Sequence, residues 1–106
     1  MIWDGDNLSA LIVEDDAASI KALQSLLEHY GFVVSTARTA AQAMALLGNC
    51  PKYVFLDLSL PDAQGEKVLE QIRNAGINTT VAVITGTSDP ARIDRVQQLG
   101  ADIVLH

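Results

Sequence analysis

The sequence predicts an α/β fold, a five-stranded parallel sheet with helices on both faces and three layers in all. Three observations carry this expectation. The runs Leu8 to Val13, Tyr53 to Leu56 and Val81 to Ile84 are short and almost wholly apolar, as strands covered on both sides must be. Segments with apolar residues at helical spacing follow each of them. Gly31, Gly76 and Gly100 stand where those segments should stop, so strand and helix alternate, and right-handed crossovers then make the sheet parallel.

In chain order, Leu8 to Val13 forms the first strand and ends abruptly in Glu14-Asp15-Asp16. Ile20, Leu23, Leu26, Leu27 and Tyr30 mark the first helix, with Asp16 as its cap and Gly31 as its stop. Phe32-Val33-Val34 reads as a second strand. Thr39 caps a helix through Ala43, Met44, Leu46 and Leu47 that ends at Gly48-Asn49, with Met44 as core filler. Tyr53 to Leu56 is the third strand, and after a loop from Pro61 to Gly65 the residues Val68, Leu69 and Ile72 mark a third helix closing near Gly76. Asp62 in that loop reads as a turn residue. Val81 to Ile84 is the fourth strand, and Ser88 or Asp89 caps a fourth helix that has Pro90 in its first turn and ends at Gly100. Ile103-Val104-Leu105 begins a fifth strand.

At 106 residues the chain is sized for one domain, and no linker, repeat or low-complexity stretch divides it. Its 49% hydrophobic content suffices for a core and excludes a disordered segment. A formal net charge of −6 argues against direct nucleic-acid binding and against an anionic membrane surface, both of which would repel it. No apolar run approaches the roughly 20 residues of a membrane span, and Met1 to Asp6 lacks the pattern of a secretory signal, so a cytoplasmic location is expected. The single cysteine, Cys50, cannot form an internal disulfide and reads as a small half-buried residue before the turn at Pro51. His29 reads as a solvated residue near a helix end, and Trp3 as a residue that covers a sheet edge or stays unordered.

Ligand sites of open parallel sheets lie beyond the carboxyl ends of the strands. There the first strand delivers Glu14, Asp15 and Asp16, the third Asp57, and the fourth Thr85 and Gly86. Carboxylates so close together repel unless a proton or cation neutralises them, and an oxygen-only set with open positions suits magnesium. Zinc fits poorly, because Cys50, His29 and His106 are not at ligand spacing. A carboxylate can also attack phosphorus, and Asp57 is the best placed to do so, since a wholly apolar strand holds it. The Thr85 hydroxyl can donate to a phosphoryl oxygen, and Gly86 leaves room for that group. Asp16 reads as a helix cap before it reads as a metal ligand.

These residues resemble the receiver domains of bacterial response regulators. The likeness spans about Leu8 to His106 and rests on Leu11-Ile12-Val13-Glu14-Asp15-Asp16, Asp57-Leu58-Ser59-Leu60-Pro61 with Gly65, Val83-Ile84-Thr85-Gly86, and Gly100-Ala101-Asp102. It implies a flavodoxin-like sheet of order 2-1-3-4-5, with magnesium held by Asp15, Asp57 and the backbone carbonyl of Ser59, and Glu14 acting mostly through water. It also implies that Asp57 accepts phosphate from a histidine kinase or a histidine phosphotransfer protein, or from small acyl phosphates. Thr85 would then turn toward the phosphoryl group and remodel the surface of the fourth helix. On this view the domain is a switch that catalyses only its own phosphorylation and dephosphorylation.

Three departures from the family pattern stand out. Glu14 replaces a frequent Asp, and Val104 takes the place of a frequent aromatic residue. The family's lysine after the fifth strand would follow His106, and so would a fifth helix, so residues 1–106 read as a receiver domain cut before its last helix. Self-association through the surface such a helix would cover, and impaired phosphorylation, are the expected consequences.

Two other classes compete. A receiver-like interaction module would bind partners without phosphorylation, which the Asp15, Asp57 and Thr85 set argues against and the missing lysine argues for. A phosphatase or nucleotide-dependent reductase on a related fold lacks support, since Ser59 breaks an Asp-x-Asp pattern and no glycine-rich phosphate loop follows a strand.

Overall fold

The computed structural model describes residues 8–105, so the expectations for Trp3, the first six residues and His106 lie outside the described residues. The strands are β1 (Ser9–Val13), β2 (Val33–Ala37), β3 (Tyr53–Asp57), β4 (Thr80–Ile84) and β5 (Ile103–Leu105), and the helices are α1 (Ala17–His29), α2 (Ala40–Leu46), α3 (Gly65–Asn74) and α4 (Pro90–Gln98). All strand pairs are parallel, in the order β2-β1-β3-β4-β5 expected from the resemblance.

Because side chains alternate across a strand, the register divides the sheet into two faces. Leu11, Val13, Val54, Leu56, Val81 and Val83 point to one face and are buried beneath α2, α3 and α4. Ala10, Ile12 and Phe55 point to the other, where Ile20 and Leu27 of α1 pack on them. Among the described residues, three helices therefore cover one side and one helix the other. Val68, Leu69 and Ile72 give α3 its inward stripe, and burying each stabilises the fold by about 1.5–3 kcal/mol. On the side of α1, Ile103 and Leu105 of β5 stay about half exposed, at 47% each.

Side-chain caps hold the starts of α1, α2 and α4 where the sequence places them. Asp16 accepts from the Ser19 amide at 2.9 Å, Thr39 from Gln42 at 3.0 Å, and Asp89, not Ser88, from Ala91 at 3.1 Å. Gly31, Gly76 and Gly100 all adopt positive φ where helices end.

Several local expectations are corrected. The second strand starts at Val33 and runs through Ser35 and Thr36 to Ala37. Its polar residues hid it, and they are tolerated because β2 is an edge strand with one side largely open to solvent. Met44 is exposed, because Ala40, Ala43 and Leu47 form the inward stripe of this segment and Met44 lies one step round the helix. Leu26 and Tyr30 are exposed for the same reason, with Ile20, Leu23 and Leu27 turned to the sheet. Cys50 is exposed with φ of 51° after a 3-10 turn at Leu47–Asn49, instead of half-buried. Asp62 does more than turn the chain. Its carboxylate reaches back 22 residues to accept from the Ala40 amide at 2.8 Å, and also accepts from Ala41 at 3.1 Å, capping α2.

Candidate functional site

The acidic site forms where the first and third strands run out. Val13 is fully buried and hands the chain to Glu14, whose amide still donates to Ala37 of β2 at 3.0 Å. β3 holds Val54 and Leu56 without solvent contact and presents Asp57 as its last residue. Glu14, Asp15 and Asp57 thereby each bring a carboxylate oxygen within 4.8 Å of the other two. Asp16 turns away to cap α1, as its spacing suggests.

Partial burial, and then the company of two other carboxylates, strains the charged form of Glu14. Burial and then the neighbouring Asp57 and Asp15 raise its carboxyl to about 7, against a lowering contribution from the Asp16 amide, which donates to Oε1 at 3.1 Å. A hard dication would relieve this strain, and the donor set is all oxygen, so the residues fit a magnesium-type ion. Ser59 donates its amide to Asp57 Oδ1 at 3.2 Å, which sets the turn that follows the carboxylate.

Asp57 lies in register with Ile84, the last residue of β4, so Thr85 directly follows the end of the neighbouring strand. Thr85 is buried, its amide donates to Leu105 at 2.9 Å, and its hydroxyl accepts from the Thr87 amide at 3.0 Å. A Cβ on Gly86 would meet nothing within 4 Å, in keeping with room for an incoming group. Val104 packs partly buried against the core beneath α4. A cleft of about 400 Å³ opens beside the site, between α1 and the sheet, with Glu14 and Asp57 among its lining and Leu23, Leu26, Phe55 and Ile84 supplying apolar walls.

Sequence reasoning missed two contributors. Gly65 opens α3 directly against the strand end: a Cβ there would lie 2.5 Å from the Asp57 carbonyl oxygen and 2.8 Å from Leu58 Cα. Its place beyond the Asp57 loop was visible, but only the packing shows why no larger residue fits. Arg38 donates to the Asp15 carbonyl at 2.8 Å and pins the acidic loop from the far end of β2. Nothing in the sequence pairs residues 23 positions apart.

A parallel five-stranded sheet with an acidic cluster at its carboxyl edge and a hydroxyl just past the end of the adjacent strand defines a receiver-type site. The chain belongs to the response regulator receiver domain family, whose model it matches over residues 10–106. It is 36% identical over 98 residues to the acid tolerance regulatory protein ActR of Rhizobium meliloti (strain 1021), covering 92% of this chain and 50% of that protein. The chain thus spans half the length of that relative. Among solved structures it is similar to a CheY-like response regulator receiver domain protein from Methanospirillum hungatei JF-1, with a TM-score of 0.86, 28% identity and coverage of 92% of this chain and 78% of that one. It is also similar to the Mn(2+)-bound form of the response regulator Rcp1, with a TM-score of 0.83, 25% identity and coverage of 92% and 78%. Among the described residues, no helix is long and apolar enough to cross a membrane.

Proposed function

We propose that this domain is a phosphorelay switch in which Asp57 accepts a phosphoryl group. The observation that carries the reading is the convergence of Glu14, Asp15 and Asp57 within 4.8 Å at the end of β3, with Thr85 just past the end of the neighbouring strand. A magnesium ion would be held by Asp15, Asp57 and the Ser59 carbonyl, with Glu14 acting through water, and it supplies positive charge for the carboxylates and for the phosphoryl oxygens. The Mn(2+)-bound relative supports an ion of this type.

In the transfer, a carboxylate oxygen of Asp57 forms a bond to phosphorus as the bond to the donor breaks, and the donor leaves with that electron pair. The rigid end of β3 keeps the nucleophile in line, and the Ser59 amide on Oδ1 orients the carboxylate. Thr85 donates its hydroxyl to a phosphoryl oxygen and passes the event to α4. The donor is a histidine kinase or histidine phosphotransfer protein in the cytoplasm, and acyl phosphates can substitute. The domain turns over no substrate other than its own phosphoryl group. The net charge of −6 supports protein partners over nucleic acid.

Labelling with acetyl phosphate and magnesium tests this. Asp57→Ala should take up no acid-labile phosphate, and Asp15→Asn and Asp57→Asn should each weaken magnesium binding. Thr85→Ala should still label while its α4 surface responds less. Label appearing on Asp15 or Asp16 of the Asp57→Ala protein at the normal rate would overturn the assignment. A wild type that never labels would favour the interaction-module reading.

A further inference from the structure

Only Val96 of α4 is fully buried, with Ile93 and Leu99 partly so, and a helix with so few apolar contacts takes its position largely from its polar ties. The strongest tie is at its first turn. Arg92 meets Glu66 of α3 with two hydrogen bonds, Nε to Oε2 at 2.8 Å and Nη2 to Oε1 at 3.0 Å. Glu66 is 7% exposed, and Arg92 Nη2 also lies 3.4 Å from the carbonyl of Leu58, the residue that follows Asp57. A planar guanidinium on a buried carboxylate in this fork geometry is strong and directional. It ties α4 to α3 and to the exit of the phosphoacceptor strand at once.

A second chain of bonds reaches the same turn from Thr85. The Thr87 amide donates to the Thr85 hydroxyl at 3.0 Å, the Asp89 amide to the Thr87 hydroxyl at 3.2 Å, and the Ala91 amide to the Asp89 carboxylate at 3.1 Å. Each link runs from a side-chain oxygen to an amide two residues on, so the loop into α4 is registered from Thr85 outward. A Thr85 hydroxyl rotated toward a phosphoryl group gives up the first link. The Arg92–Glu66 fork is then the strongest polar tie that still restrains α4.

We propose that the Arg92–Glu66 pair is a latch that holds the first turn of α4 in the unphosphorylated position, and that its strength sets how far phosphorylation at Asp57 displaces the helix. This rests on the phosphoacceptor reading above. The other tie between these helices, Arg95 to Glu70, is longer at 3.4 Å, single and exposed on the arginine side, so it cannot replace the fork. Arg92 and Glu66 hold each other charged: the Arg92 hydrogen bonds keep the Glu66 carboxyl below the usual carboxylate range, and Glu66 raises Arg92.

The test compares amide spectra and hydrogen exchange of wild type, Arg92→Gln, Glu66→Gln, the double variant and Arg92→Lys, each with and without magnesium and beryllium fluoride as the phosphoryl mimic. Unloaded Arg92→Gln and Glu66→Gln should shift the Thr87 to Ile93 resonances along the line from free to loaded wild type. Protection of the Ile93 amide, bonded to Asp89, should fall about tenfold as the turn opens more often. The double variant should match the singles, because the pair acts as one unit, and Arg92→Lys, which keeps charge without the fork, should fall between. Unchanged Ile93 protection in the Gln variants overturns the latch, as do resonances displaced off that line, which would make the pair a static brace. If wild type shows no response to the mimic, the phosphoacceptor reading fails separately, and Ile93 protection still decides whether the pair holds α4.

Discussion

Replacing Gly65 by alanine should damage both stability and phosphoryl uptake. The added methyl carbon would sit 2.5 Å from the Asp57 carbonyl oxygen and 2.8 Å from Leu58 Cα, against ordinary van der Waals contact at 3.4 Å and beyond. Both obstacles are backbone, so no side chain can swing aside. The two segments must part by roughly 0.9 Å, and the hydrogen bond from the Gly65 amide to Leu58, 2.9 Å long, must stretch with them. Overpacking of this kind costs about 1–3 kcal/mol, reduced by a few tenths because alanine has less freedom to lose than glycine. For a domain of this size that is a fall in melting midpoint of about 5–15 °C. The moved backbone carries Asp57 itself, so the labelling rate with acetyl phosphate should fall by about tenfold or more, since a small misplacement of a nucleophile is costly. Gly86→Ala is the control for stability alone, because its methyl would meet open space and should leave the melting point within about 1–2 °C. Thermal melts of both variants and labelling time courses of Gly65→Ala beside wild type provide the check. A Gly65→Ala protein that melts and labels like wild type would show that the contact between the start of α3 and the end of β3 is not as tight as described.

Further outcomes follow from the polar ties. Glu66 has its folded carboxyl held low by Arg92, so the stability it contributes is present above the usual carboxylate range and is lost as the pH falls through that lowered value. Glu66→Gln should therefore cost about 1.5–3 kcal/mol at pH 7 and progressively less as the pH is taken down through the carboxylate range, as read from urea midpoints over an acid pH series. Asp62→Ala removes the long-range cap of α2 and should speed hydrogen exchange at the Ala40 and Ala41 amides while leaving α3 protected. Gly100→Ala faces a φ of +107° and a methyl 2.9 Å from the Arg73 side chain. It should destabilise by about 1–3 kcal/mol and loosen the bonds from Arg73 to the Gly100 carbonyl and to Asp102 that fasten β5, visible as faster exchange in that strand.

The order of elements was legible because the central strands are apolar on both faces and their helices carry caps and glycine stops of ordinary chemistry. Val54, Leu56, Val81 and Val83 advertise a buried parallel sheet, and Asp16, Thr39 and Pro90 advertise helix starts. Edges were less legible. Ser35 and Thr36 disguise β2, where one side needs no apolar cover, and Met44 and Leu26 show that an apolar residue at helical spacing can still lie beside the inward stripe. In the site, Glu14, Asp15 and Asp57 could be brought together from strand ends alone, since the fold rule fixes which edge they share. The ties that set the position of the loops could not. Arg38 to Asp15, Asp62 to α2 and Arg92 to Glu66 each join residues more than 20 apart, and charged residues on helix faces read equally well as solvated.

The central claim is that the end of β3 presents a nucleophilic carboxylate, and site-resolved trapping tests it most directly. The protein would be incubated with magnesium and acetyl phosphate, reduced with borohydride so that an aspartyl phosphate becomes homoserine, digested, and sequenced by mass spectrometry. The account predicts homoserine at position 57 alone, dependent on magnesium and suppressed in Asp15→Asn. Homoserine at position 15 or 16, or at none of the acidic positions while beryllium fluoride also leaves the Thr85 and α4 amides unmoved, would contradict it.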